Sequence, residues 1–103
     1  MTILEIRTKN LVNDRLSLKM ALSHLETAVG SAGGFVIEEP YTNMGWTFFK
    51  LNIKPDFQMR IEEKFGDMIS KYKWKNNDEK FTHFMKDYLD AKGCSVDIKF
   101  ISL

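Results

Sequence analysis

Gly45-Trp46-Thr47-Phe48-Phe49-Lys50-Leu51-Asn52-Ile53 decides how this chain folds. Side chains in a strand alternate between two faces, so Thr47, Phe49, Leu51 and Ile53 share one side while Trp46, Phe48, Lys50 and Asn52 share the other. The first set can build a core. The second carries two large aromatics on a face that nothing else in the sequence obviously covers, which suggests a surface meant to touch something.

Working outward, Thr2 to Thr8 alternates Leu4 and Ile6 against Ile3, Glu5 and Arg7 and reads as a strand. From Asn10 to Val29 the residues Leu11, Leu18, Leu22, Leu25 and Val29 recur at helical spacing, with Asn13 or Asp14 capping the start and Gly30 the end. Gly30 to Gly34 reads as a flexible connection, since a phosphate cradle needs its glycines before a helix and here they follow one. Phe35 to Glu39 is a second strand, and residues 40–45 form the turn into Trp46–Ile53.

Pro55 opens a helix in which Phe57, Ile61, Phe65, Met68 and Tyr72 form the inner stripe. Asn76-Asn77-Asp78 caps another, with Phe81, Phe84, Met85, Tyr88 and Leu89 inward, and Gly93 ends it. Ser95 to Leu103 alternates Val96, Ile98 and Phe100 against Asp97, Lys99 and Ile101, a last strand. The order β-α-β-β-α-α-β predicts one α+β domain over residues 1–103, ferredoxin-like, with a four-stranded antiparallel sheet and its helices on one face.

Composition narrows the function. The 103 residues, 44% hydrophobic, are enough to bury a core without a metal or disulfide staple. Fifteen Lys and Arg against 14 Asp and Glu give a net charge of +1, unlike the strong basic excess of a duplex-DNA binder or the acidity of a DNA mimic. Cys94 is the single cysteine, which excludes an internal disulfide and a Cys-rich zinc site. No leader pattern follows Met1 and no apolar run approaches the roughly 18 residues of a membrane span, so a cytoplasmic protein without a membrane partner is expected. Plentiful Lys, Asn, Ile and Phe with only three Arg and two Pro suggest an AT-rich coding sequence of the kind phages and mobile elements carry.

The candidate partner surface is the open sheet face: Trp46 and Phe48 as anchors, with Arg7, Lys50 and Lys99 setting orientation. A second copy of the chain could also cover it, so a homodimer is a competing expectation. Gly45-Trp46-Thr47-Phe48-Phe49 resembles part of the third strand of the RNA-recognition motif, which implies Trp46 and Phe48 as base-stacking residues. The likeness covers about eight residues. Met44 stands where a basic residue would precede the glycine, and the first strand offers no outward aromatic.

Lys71-Tyr72-Lys73-Trp74-Lys75 interleaves cations with aromatics, which suits single-stranded nucleic acid, although lysines at a helix C-terminus also complement its dipole. For a small enzyme Cys94 would need a base beside it, and neither His24 nor His83 is brought there by sequence. The pairs Asp56–Arg60, Asp67–Lys71 and Lys86–Asp90 read as i,i+4 neutralisation on solvated helices. No catalytic, metal-binding or cofactor motif stands out. The expectation is a small non-enzymatic regulator or inhibitor that binds a protein partner, with nucleic-acid binding second and Cys94 chemistry third.

Overall fold

The computed structural model describes residues 2–74 and 76–102. Its elements run β1 (Thr2–Thr8), α1 (Leu11–Val29), β2 (Phe35–Ile37), β3 (Tyr41–Asn43), β4 (Trp46–Ile53), α2 (Pro55–Ser70), α3 (Asn77–Ala91) and β5 (Asp97–Ser102). The protein is α+β, with three helices and an antiparallel sheet in the order β2-β4-β1-β5, β3 adding to β4 beside β2.

The sheet therefore has five strands, not the expected four. The extra one comes from residues 40–45, where a loose turn was expected. Asn43 pairs with Trp46, so only Met44 and Gly45 turn the chain, at φ +52° and +81°. A two-residue turn with both φ values positive has the twist that adjacent strands need, and this frees Tyr41, Thr42 and Asn43 to pair with β4.

The register confirms the parity of the long strands. Leu4 faces Leu51 and Ile6 faces Phe49, while on the other side Leu4 faces Phe100 and Ile6 faces Ile98. Leu4, Ile6, Phe49, Leu51, Ile53 and Val96 are buried together with Leu18, Leu22 and Leu25 of α1, Phe57 and Ile61 of α2, and Phe81, Met85 and Leu89 of α3. One sheet face thus takes all three helices. Each large side chain removed from water there contributes about 1.5–3 kcal/mol before entropy is counted. Ile98 and Phe100 point the same way but stay half-buried, because β5 lies at the sheet edge.

The helix ends differ from expectation in instructive ways. α1 begins at Leu11, too early for Asn13 or Asp14 to cap it. Instead the Thr8 hydroxyl accepts from the Asn10 N–H (2.9 Å) and donates to the Asp14 carboxylate, binding the strand end to the first helical turn. Gly30 (φ +71°) closes α1 as expected, with the Ser31 N–H reaching back to the Glu26 carbonyl at 2.8 Å. In α2, Phe65 leaves helical geometry (φ −111°, ψ 17°), and beyond this kink Ile69 is buried while Met68 is 55% exposed. The expected stripe through Met68 fails because the helix is not continuous there. Asn76 caps α3 by accepting from the Glu79 N–H at 2.8 Å.

The glycine connection is also tighter than expected. Gly34 is buried, its N–H donating to Glu26 Oε2 (2.9 Å) and its carbonyl accepting from the Lys54 N–H (2.8 Å). A Cβ on Gly34 would lie 2.5 Å from Phe57 Cβ and Cγ. This glycine is a packing contact that seats α2 against the loop after α1.

Candidate partner-binding face

The face of the sheet opposite the helices is covered by no described element. Its side chains fall into rows fixed by the register. One row runs Val36, Asn52, Ile3; the next runs Lys50, Glu5, Lys99; the third runs Tyr41, Phe48, Arg7, Asp97; and Asn43 with Trp46 ends the array near the hairpin. The predicted anchors and orienting residues, Trp46, Phe48, Lys50, Arg7 and Lys99, thus lie on one surface.

Neither aromatic stands free. The Phe48 ring stacks on Tyr41, centroids 5.4 Å apart and planes inclined by 17°. Trp46 is approached by two cations, the Arg7 guanidinium at 4.3 Å and the Lys9 ammonium at 4.4 Å from the ring. Both aromatics are half-buried as a result. Arg7 also binds Asp97 through Nε (3.1 Å) and Nη2 (2.6 Å), a pair exposed enough that solvent weakens it.

The Tyr41 hydroxyl donates to Glu5 Oε2 at 3.0 Å, and this bond to a carboxylate raises the phenol pKa above its usual value. With Glu5 engaged by Tyr41, Lys50 and Lys99 on either side of it make no ion pair within 4.0 Å among the described residues. A groove of about 400 Å³ opens between Glu5, Arg7, Phe48, Asp97 and Lys99. The arrangement is chemically suited to holding an apolar side chain against Phe48 and carboxylates against Lys50 and Lys99.

Two participants escaped the sequence reading. Tyr41 was hidden in the supposed turn; the signal was the mirror symmetry of Tyr41-Thr42-Asn43 and Trp46-Thr47-Phe48 about Met44-Gly45. Lys9 continues the parity of Glu5 and Arg7 just past the strand end. The outer side of α1 also carries an unforeseen line, Val12, Leu16 and Met20, each more than half exposed at i,i+4 spacing.

The nucleic-acid candidates lie elsewhere. Lys71, Lys73 and Trp74 follow α2 on the helix side of the sheet, with Trp74 stacked flat on His83 of α3 (4.4 Å, 3°). Lys75 is outside the described residues. The structure does not bring this group together with Trp46 and Phe48. Tyr72, expected in the buried stripe, is half-buried, and its hydroxyl donates to Asp87 at 2.6 Å; burial and that bond push its pKa up to about 12.

Cys94 is buried, its Sγ 3.9 Å from the Asp14 carbonyl, and burial, reinforced by Asp14 and Asp90, pushes its thiol pKa to about 11. At neutral pH it is a protonated thiol. His24 lies against the Tyr88 hydroxyl (3.0 Å) and His83 against Trp74. The ion pairs Asp56–Arg60 (3.2 Å) and Lys86–Asp90 (2.9 Å) form as expected, whereas Asp67–Lys71 does not, since α2 ends at Ser70.

Among the described residues no group of three or more His, Cys, Asp or Glu could hold a metal ion. No described helix is long and apolar enough to cross a membrane. No family model, curated protein or solved structure matches the chain.

Proposed function

We propose that this chain is a small non-enzymatic, cytoplasmic binding protein that regulates or inhibits a protein partner through the open face of its sheet. The observation that carries the reading is that face itself: an aromatic strip of Tyr41, Phe48 and Trp46 beside Lys50 and Lys99, which make no ion pair among the described residues, on the side of the sheet opposite the helices. In fold terms the chain is read as the ferredoxin-like plan, widened by the β3–β4 ribbon that brings Tyr41 onto this face. Aromatics concentrated in one patch tend to dominate interface energy, and arginine stacked on tryptophan is an anchor already held in place. The complementary partner surface is an apolar patch rimmed by carboxylates, which Lys50 and Lys99 would meet.

The test places a photo-crosslinking residue at Lys50 and, as a control, at Glu63 on the exposed side of α2. Crosslinking of one protein species from Lys50 and not from Glu63, lost in a Trp46→Ala background, supports the reading. On this account Trp46→Ala weakens the complex by about 2 kcal/mol or more, some thirtyfold, and leaves the fold intact. Unfolding of that variant would assign Trp46 to the core and remove the reading. Tight binding of single-stranded oligonucleotides that falls steeply with salt would replace it with nucleic-acid binding.

A further inference from the structure

The sheet ends at β5, which pairs with β1 on one side only. Over Asp97–Phe100, before the ladder shifts register at Ile101, every second residue therefore directs its N–H and C=O away from the sheet, and no other described strand takes them up. Along this free edge runs a groove of about 360 Å³, lined by Glu79, Thr82, His83 and Lys86 of α3 and by residues 97–100 of β5. The half-buried Ile98 and Phe100 lie on its floor.

We infer that a second copy of the chain occupies this edge, β5 pairing antiparallel with β5 about a two-fold axis at Ile98. Paired residues in a sheet share a face, so joining two copies with their helices on the same side allows only partners of equal parity. Centring the axis on Asp97 sets Asp97 against itself, and centring it on Lys99 sets Lys99 against itself. Like charges directly opposite are destabilising in either register. Centring on Phe100 sets Lys99 against Ile101 and adds no opposite charge across the axis to Asp97, which keeps only Arg7 of its own chain.

The axis at Ile98 alone sets Asp97 against Lys99 of the second copy, twice. On the helix side it sets Ile98 against Ile98 and Val96 against Phe100, continuing the core across the junction. The groove-lining residues of α3 centre between Thr82 and His83, so an axis through the groove would bring Glu79 of each copy towards Lys86 of the other, a lysine that also binds Asp90 of its own helix. Self-pairing on this edge engages Lys99 but leaves Trp46, Phe48 and Lys50 of the open face uncovered, so Trp46→Ala, which bears on the proposed partner and not on this edge, separates the two readings.

Light scattering over a dilution series tests the dimer, with circular dichroism as a check on folding. Wild type is expected at twice the chain mass, dissociating on dilution. Lys99→Asp and Asp97→Lys alone should each be monomeric, because each puts like charges across the axis. Mixed in equal amounts they should form a heterodimer, since both cross-axis contacts become Asp against Lys again; Trp46→Ala should dimerise like wild type.

A wild type that stays monomeric, a Lys99→Asp variant that still dimerises, or a mixture that fails to pair would overturn the inference. Should a reversed variant not fold, hydrogen exchange on wild type decides. Protection of β5 amides that rises with protein concentration supports the pairing. Concentration-independent exchange, or protection gained only when a different protein is added, overturns it.

Discussion

The two faces of this sheet use the same strands under opposite rules. On the helix side Leu4, Ile6, Leu51 and Ile53 are wholly buried, and shape alone satisfies them. On the other side no outward residue of β1 or β4 is fully buried, and three of the large groups are held by specific neighbours: Phe48 by Tyr41, Trp46 by Arg7 and Lys9, Glu5 by the Tyr41 hydroxyl. Non-directional burial gives the first face its stability. Directional contacts, individually weak in water, give the second face an ordered surface with little of the folding energy invested in it.

Adjacent residues make the sharpest comparison. Phe49→Ala should cost about 3–5 kcal/mol, because it leaves a cavity beneath three helices, whereas Phe48→Ala should cost about 1 kcal/mol, the worth of its stack. Urea denaturation measures both, and equal losses would break the distinction between the faces. Gly34→Ala comes next, at about 2–3 kcal/mol, since the new methyl group meets the stem of Phe57 and not a movable side-chain tip.

Alkaline pH probes the buried side through Cys94. Its thiol keeps its proton to about pH 11 when folded, against an ordinary value of 9.0. The native state therefore holds a proton that the unfolded chain releases, so the contribution is intact below about pH 9 and is lost as pH climbs towards 11. Melting temperature should fall across that window, and less steeply in Cys94→Ala. The smallest effect belongs to the open face: Arg7→Ala, which removes the exposed bridge to Asp97 and one cation from Trp46, should cost about 1 kcal/mol or less.

Legibility in the sequence followed the same division. Period-two alternation fixed which side chains of β1 and β4 face the helices, because each strand is long enough to carry several repeats. β3 was missed because three residues show too little alternation to stand out beside Pro40 and Gly45. Ile69 was missed for a backbone reason, the departure at Phe65 that ordinary helical spacing does not encode. On the open face the aromatic positions were readable but their neighbours were not: Tyr41 and Lys9 meet their rings through register, a long-range property. Gly34 shows the same limit, since only the approach of Phe57 distinguishes it from a loose linker.

Cys94 sits where the start of α1 meets the end of α3, its sulfur against the Asp14 carbonyl and its N–H bonded to the Leu89 carbonyl at 2.9 Å. A reagent reaches that sulfur only when the two helices part. The rate at which a thiol dye attaches to native protein is therefore a clock for one joint of the molecule, and no engineered label is needed to read it. Compared with the rate of global unfolding, it would show whether α3 and β5 lift away from the rest as a unit or only when the whole core opens.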